Sequence, residues 1–156
     1  MEILIRQATV NDFDSINEIA NQEHEMHIQL RPDLYNYSDI ILTNKWFSEL
    51  LDNGSIIVGE FNKKVVSYGI FYIKKTNEPL LINKKVMYLK AIANEKNYIG
   101  LGIGKQMMNY IIKLAKENKC DLIELQVDSE NKRAVIFYEH LGMTEKSRVM
   151  ELKLID

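Results

Sequence analysis

The chain has 156 residues, of which 46% are hydrophobic, and this is enough apolar material for one domain with its own core. Lys and Arg number 20 against 22 Asp and Glu, so the balance is not basic and we expect no nucleic-acid partner. Cys120 is the single cysteine, the N-terminus lacks a signal-peptide pattern, and the longest mainly apolar run is far shorter than the ~20 residues of a membrane span. We therefore expect one cytoplasmic domain over residues 1–156, with no membrane partner.

The spacing of apolar residues predicts a mixed α/β (α+β) domain. Strands are predicted at residues 2–8, 55–61, 65–74, 85–93, 123–127 and 150–154, with a hairpin turn at 62–64. Helices are predicted from Thr9 into the twenties and at 38–51, 101–118 and 131–140. The order βαα-βββ-αβαβ predicts a central mixed sheet flanked by helices on both faces.

Three glycines, Gly100, Gly102 and Gly104, follow the fourth predicted strand and lie at the start of the third predicted helix. Backbone N–H groups at the start of a helix lack helical partners, and with the helix dipole they favour an anion such as phosphate. The dinucleotide fingerprint needs a further glycine where Lys105 stands, and the P-loop motif lacks both its first glycine and its terminal hydroxyl here. The turn by itself leaves two interpretations: a phosphate site, or a tight turn that lets the helix pack closely on the sheet.

A second motif follows 27 positions beyond Gly104, where residues 131–143 read Asn-Lys-Arg-Ala-Val-Ile-Phe-Tyr-Glu-His-Leu-Gly-Met. With the glycine turn it strongly resembles the GCN5-related N-acetyltransferase (GNAT) superfamily. That superfamily has an [Arg/Gln]-x-x-Gly-x-[Gly/Ala] turn and a later Asn-x-x-Ala-x-x-Phe-Tyr segment. The matching residues are Gly102 and Gly104 in the first motif and Asn131, Ala134, Phe137, Tyr138 and Gly142 in the second. Ile99 departs from the pattern, because it stands where the superfamily usually has Arg or Gln.

The resemblance implies that the acetyl group of acetyl-CoA moves directly to a primary amine of a small molecule or protein, without a metal. Tyr138 is the implied catalytic acid, since a tyrosine hydroxyl can protonate the departing thiolate. The implied cofactor-binding residues are the backbone of Ile92 and Ala93, the turn residues Leu101, Gly102, Ile103, Gly104 and Lys105, and the side chains of Asn131 and Tyr138.

Two alternatives stay open beside that interpretation. The same fold could serve as a non-catalytic acyl-CoA-binding sensor or interaction module, and the donor could be propionyl- or succinyl-CoA. The resemblance also implies a homodimer, with the predicted last strand at 150–154 as its edge.

The general base has no obvious candidate, because the strand before the glycine turn carries no carboxylate. The remaining candidates are ordered water and Glu23, His24, Glu25, His27, Glu60 and Glu124. The spacing of His24 and His27 does not match the zinc motif, so we expect no metal there.

The segment after the first predicted helix resembles the region that shapes the acceptor pocket in related acetyltransferases. In this segment Glu23, Glu25 and Asp33 are predicted to attract a cationic amine. Tyr35, Tyr37 and Trp46 are candidates for the pocket wall, although aromatic residues in this number favour packing. Cys120 is interpreted as an incidental thiol.

Overall fold

The computed structural model describes residues 1–155 and separates into two compact units, residues 1–126 and the residues from Val127 on. The larger unit contains five strands and three α-helices: β1 (Leu4–Gln7), α1 (Phe13–Leu30), α2 (Asn44–Asp52), β2 (Ile56–Phe61), β3 (Lys64–Lys75), β4 (Lys85–Asn94), α3 (Ile103–Glu117) and β5 (Leu122–Leu125). Short 3-10 helices cover Val10–Asp12 and Lys96–Tyr98. The smaller unit contains α4 (Lys132–His140). That the whole chain is a single domain stays a prediction.

The five strands form one mixed sheet in the order β1-β2-β3-β4-β5. The first four strands are antiparallel to their neighbours, and β5 is parallel to β4. In the turn between β2 and β3, Asn62 and Lys63 have φ angles of 49° and 63°. A two-residue hairpin turn needs positive φ angles at both residues to match the twist of its strands. The predicted hairpin and the mixed sheet are therefore confirmed.

Helices cover both faces of this sheet, as the sequence predicts. On one face, α1 and α2 bury an apolar cluster against β2 and β3 that includes Ile16, Phe47 and Val58. On the other face α3 comes very close to β2: a Cβ atom built on Gly59 would lie only 3.1 Å from Met107 Sδ. Glycine at this position lets the helix approach the sheet, since any side chain would displace its neighbours.

The end of α1 and the start of α2 differ from the sequence prediction. Helix α1 continues to Leu30, just before Arg31 and Pro32, instead of ending in the twenties. Helix α2 begins at Asn44 and not at residue 38, because Thr43 Oγ1 accepts the Trp46 N–H (3.1 Å) and caps the helix there. In residues 1–155, no helix has the length and apolarity that crossing a membrane requires.

The strand predicted at 150–154 was wrong. Residues 143–155 contain no strand, and Met150, Leu152 and Leu154 are each more than 80% exposed. Alternation of apolar residues marks the face that a strand would bury, but a strand also needs a neighbour for its backbone hydrogen bonds. The expected dimer edge therefore loses its basis, and the observed order is βαα-βββ-αβα.

Candidate functional site

Strand β4 contains a bulge at Lys90. Ile70 of β3 lies opposite Ala91, and the next residue, Phe71, lies opposite Leu89, so Lys90 is an additional residue in β4. In an antiparallel ladder, successive residues direct their backbone groups alternately toward one neighbouring strand and the other. The bulge therefore changes which residues of β4 direct their backbone groups away from β3.

Beyond the bulge, β4 has an edge that β5 does not cover. Pairing between the two strands ends at Leu89 and Leu125, whereas β4 continues beside β3 to Asn94. The Glu95 N–H donates to Val66 O (2.8 Å), and this bond fixes the alternation in the last part of β4. It follows that Ile92 directs its N–H and C=O toward the uncovered edge.

Ala93, the other β4 residue predicted to hold the cofactor, has the opposite backbone orientation. It lies opposite Tyr68 and directs its N–H and C=O toward β3. Its carbonyl oxygen also accepts a hydrogen bond from the fully buried Ser67 Oγ (2.9 Å). Of the two residues, Ile92 is the one whose backbone groups are directed to the uncovered edge.

The glycine turn leads from this edge into α3. Gly100 and Gly102 have φ angles of +83° and +80°, a left-handed conformation that glycine adopts at little cost. Gly102 caps α3 without any side-chain hydrogen bond. The N–H groups of Ile103, Gly104 and Lys105 are in the first helical turn, where no helical carbonyl is available to them. They give the start of α3 a group of donors with the positive end of the helix dipole.

The space beside the turn is open. A Cβ atom placed on Gly100 or Gly102 would meet nothing within 4 Å. The side chain of Ile103 is 1% exposed and holds the helix start against the core, whereas Leu101 and Lys105 are exposed. Ile99 is 40% exposed and presents an apolar side chain where the GNAT pattern has Arg or Gln. An anion at this turn would therefore rely on backbone donors and on Lys105.

A buried carboxylate fixes the path between β4 and the turn. Glu95 is 3% exposed, and its Oε1 accepts the Asn97 N–H (3.2 Å) and the Asn97 side-chain N–H (2.9 Å). Its Oε2 lies 3.7 Å from Lys64 Nζ. The Glu95 carboxylate thus holds the start of the 3-10 helix after β4, which gives the glycine turn a defined start.

In the smaller unit, the second sequence motif forms α4 and both of its ends. Asn131 Oδ1 accepts the Ala134 N–H (3.2 Å) and caps the start of the helix. At the other end Gly142 has a φ angle of +87°, and the N–H of Met143 donates to Tyr138 O (3.1 Å), as in a Schellman motif. These capping roles account for the presence of Asn131 and Gly142 in the motif without a bound ligand.

Tyr138, the predicted acid, is half-buried on α4, and its ring lies 5.2 Å from that of Phe137, edge to face. The contact of Asn131 with the cofactor and the acid role of Tyr138 stay predictions.

A cavity of about 180 Å³ lies on the α1 face of the sheet. Helix α1, the segment of residues 35–46, and strands β3 and β4 line it. Tyr35 and Trp46 are among the lining residues, whereas Tyr37 is 75% exposed and does not line the cavity. Because α1 extends to Leu30, the residues Glu23, His24 and His27 reach the cavity from the helix and not from a following loop.

One carboxylate in this cavity is held in place by a tyrosine. Tyr68 Oη donates to Glu23 Oε2 (2.7 Å), and Tyr68 is 3% exposed. Burial, and then the neighbouring Glu23, raise the pKa of Tyr68 well above its ordinary value, so its hydroxyl remains a donor. Glu23 Oε1 lies 3.7 Å from His27 Nε2, and the His27 ring stacks on Tyr35 with ring centres 5.2 Å apart. Glu23 is therefore a positioned acceptor beside aromatic rings.

Of the other candidate bases, His24 and His27 also line the cavity, whereas the other carboxylates lie elsewhere. Glu25 is on the exposed side of α1, and His24 Nε2 lies 2.7 Å from Asn36 O. Three further carboxylates are each 2.9 Å from a cationic nitrogen: Glu60 from Arg6, Glu124 from Lys74 and Asp33 from Arg31. Of the carboxylates named in the sequence analysis, Glu23 is the one that lines the cavity.

Sequence reasoning missed the bulge at Lys90 and the role of Tyr68. The bulge had a signal, because Lys90 interrupts the apolar run of β4 and is exposed. Tyr68 had none, because it is 45 positions from Glu23 and only the pairing of α1 with the sheet brings the two together.

Comparison with known proteins agrees with this geometry. The acetyltransferase (GNAT) family model matches residues 13–143. A curated relative, the uncharacterized N-acetyltransferase MJ1207 of Methanocaldococcus jannaschii, is 30% identical over 148 residues, which are 93% of this chain. The chain spans 62% of that relative's length.

Solved structures have the same fold. A mutant of the BH1408 protein from Bacillus halodurans is 29% identical, with a TM-score of 0.93 over 97% of this chain and 99% of that one. The aminoglycoside N-acetyltransferase AAC(6')-Iy in complex with CoA is 15% identical, with a TM-score of 0.71 over 97% of this chain and 94% of its own, and it supports the fold alone. The family model covers both motifs and most of the elements between them, so this chain belongs to the acetyltransferase (GNAT) family.

Proposed function

We propose that this protein is an N-acetyltransferase that uses acetyl-CoA as donor and a primary amine of a small molecule or protein as acceptor. The observation that carries the proposal is the combination of two features in one unit. The edge of β4 at Ile92 is not covered by β5, and the glycine turn that follows ends in the free N–H groups of α3. Coenzyme A has an extended arm with amide groups, which suits a strand edge, and a pyrophosphate at one end of that arm, which suits the start of a helix.

The residues present fit acetyl-CoA in this proposal. The pyrophosphate would be held by the N–H groups of residues 101–105, in the open space beside Gly100 and Gly102. The pantetheine amides would bond to the backbone of Ile92 in the manner of an added strand. Ile99 contributes no charge, so Lys105 supplies the side-chain cation.

The chemistry requires a neutral amine. An unperturbed lysine-like amine has a pKa of about 10.4, so its neutral form at pH 7 costs roughly 4 to 5 kcal/mol. Glu23, or water that it orders, is the group we assign to accept the ammonium proton, because its carboxylate is held in the cavity by Tyr68. The amine nitrogen would then form a bond to the acetyl carbon as the carbon–sulfur bond breaks, and it would lose its second proton to water as the amide forms.

Two further groups would act on the developing charges. The Ile92 N–H is the donor that we assign to the acetyl oxygen, where negative charge accumulates during attack. The Tyr138 hydroxyl is assigned to protonate the sulfur that leaves. Cytoplasmic location and the absence of a nucleic-acid partner remain expectations from composition.

A calorimetric titration with acetyl-CoA, followed by a thiol-release assay with a panel of amines, tests the proposal. We expect saturable binding near one equivalent and amine-dependent release of free CoA. Binding without release for any amine would favour the non-catalytic sensor. Absence of binding, with no CoA retained by the purified protein in mass spectrometry, would contradict the proposal. Propionyl-CoA and succinyl-CoA, titrated in parallel, would identify a different donor if either bound more tightly.

A further inference from the structure

We infer that the cavity on the α1 face selects a compact primary amine with a single positive charge and an apolar, ring-sized body. This inference rests on the proposed function and names its acceptor class. It excludes polycationic sugars, and acceptors that lack a ring-sized body such as peptide lysines, as preferred acceptors. Charge, size and the fixed position of one carboxylate each support it.

The cavity changes from apolar to polar along α1. Ile16 and Ala20 line one end, and Glu23 and His27 line the other, within the same face of the helix. Seven residues of helix separate Ile16 from Glu23, a rise of about 10 Å. An amine with one charged end and one apolar end matches this gradient.

The volume of the cavity is close to that of a site for one small ring. The whole cavity measures about 180 Å³, and an apolar protein cavity of about 150 Å³ holds a benzene molecule. Trp46 and Leu42 form part of the wall with Ile70. An aminoglycoside is built from several sugar rings, and hydroxyl groups placed against this apolar wall would lack hydrogen-bond partners.

The charges of the lining select one ammonium group. Among the lining residues, all within the described chain, Glu23 is the one carboxylate and Lys90 is a cation at the bulge. A second ammonium group would therefore find Lys90 and no second anion. Aromatic rings of Tyr35, Trp46 and Tyr68 line the same cavity, and the faces of such rings attract a single cation.

Glu23 is positioned before any ligand binds. Its Oε2 accepts from Tyr68 Oη at 2.7 Å, and the hydroxyl comes from the sheet while the carboxylate comes from α1. A carboxylate held in this way loses little freedom when an ammonium group joins it. Glu23 is thus assigned as the residue that touches the acceptor, and Tyr68 as its positioning residue.

Binding without acetyl-CoA tests the site separately from catalysis. We would titrate the protein with benzylamine, with benzyl alcohol as the uncharged analogue, and with kanamycin and the tripeptide Gly-Lys-Gly as the excluded classes. Benzylamine should bind, and Glu23→Gln should weaken it at least about tenfold, because hydrogen bonds to charged groups contribute this much. The matched control Glu25→Gln, on the exposed side of α1, should leave binding unchanged.

Steady-state acetylation gives the second readout. Glu23→Gln should lower kcat/KM for benzylamine while the calorimetric Kd for acetyl-CoA stays constant. Tyr68→Phe should raise the KM for benzylamine more than it lowers kcat, since it releases Glu23 without removing it. Circular dichroism of each variant confirms that it is folded.

The outcomes separate the two proposals. Acetyl transfer to kanamycin or to the tripeptide in preference to benzylamine, or benzylamine binding that Glu23→Gln leaves unchanged, would overturn the inference while the acetyltransferase proposal stands. Benzylamine binding that depends on Glu23, in a protein that binds no acetyl-CoA, would support the cavity assignment and contradict the proposed function.

Discussion

At the residue scale, the glycine turn depends on backbone conformation and not on crowding. Gly102 has a φ angle of +80°, yet a Cβ atom there would meet nothing within 4 Å. Gly54 has a φ angle of +62° and is equally open, but it lies beyond the end of α2 and away from the turn. The two glycines therefore carry a similar conformational cost on substitution and differ only in their place in the fold.

Gly102→Ala should lower the free energy of unfolding by about 1 to 2 kcal/mol, because an L-residue in the left-handed region is strained. The new methyl group would also occupy the space from which the pyrophosphate reaches the α3 donors, so acetyl-CoA affinity should fall at least about tenfold. Urea unfolding and calorimetry measure the two effects. Gly54→Ala is the control: it should lower the free energy of unfolding but leave the affinity for acetyl-CoA unchanged. Equal acetyl-CoA affinity in both variants would contradict the assigned phosphate site.

Tyr138→Phe should reduce kcat by about 10²- to 10⁴-fold, the range typical of a general acid, with the Kd for acetyl-CoA nearly unchanged. The ring contact with Phe137 would remain, because only the hydroxyl is removed. Thiol release and calorimetry on the same preparation separate the two quantities. Tyr72→Phe, at a 45% exposed position of β3, serves as a control. Full activity in the Tyr138 variant would remove tyrosine from the mechanism.

At the scale of elements, one arginine joins β1, β2 and the start of α1. Arg6 binds both oxygens of Asp12, with Nη1 to Oδ2 at 2.8 Å and Nη2 to Oδ1 at 3.0 Å. Its Nη2 also donates to Glu60 Oε2 (2.9 Å). Asp12 in turn accepts the Thr9 N–H (2.7 Å). This network sets the point at which the chain leaves the sheet and begins the helix that lines the cavity.

Asp12→Asn should lower the free energy of unfolding at pH 7 by about 1.5 to 3 kcal/mol, the contribution of hydrogen bonds between charged groups. The hydrogen bond from Arg6 lowers the pKa of Asp12 from its ordinary value, so this stability is present above the unfolded pKa of about 4. It is lost as the pH falls through the lower folded pKa. Urea unfolding of both proteins between pH 7 and pH 3 should show the difference shrinking.

The control for this prediction is Asp14→Asn, at an exposed position of the first turn of α1. It should cost at most about 1 kcal/mol, since it removes only a favourable interaction with the helix dipole. A difference between wild type and the Asp12 variant that grows as the pH falls would contradict the network.

At the scale of the whole molecule, binding at the proposed donor site should stabilise the fold by mass action. Acetyl-CoA at 100 times its Kd should raise the free energy of unfolding by about 2.7 kcal/mol. For a chain of this size, that corresponds to a rise in Tm of roughly 5 to 10 °C. Scanning calorimetry measures the rise in Tm. Acetyl-pantetheine, which lacks the pyrophosphate, should give a smaller rise at the same concentration. An equal rise would show that the glycine turn does not hold the phosphates.

The sequence by itself determined the order of most elements and both family motifs. Apolar spacing is a local property, so the sequence predicted the hairpin at Asn62 and placed the start of α3 within two residues of Ile103. Capping and positive φ angles are also local, which explains why both ends of α4 were found within a residue. The prediction at 150–154 failed because a strand depends on a partner, and spacing within one segment does not report a partner.

Only the tertiary structure decided which groups meet. The bulge at Lys90 turns the backbone of Ile92 to the uncovered edge of β4, and this depends on pairing with β3. The contact between Glu23 and Tyr68 joins a helix to a strand 45 positions away. Such contacts arise because packing an amphipathic helix on a sheet brings together side chains whose separation along the chain carries no periodic signal.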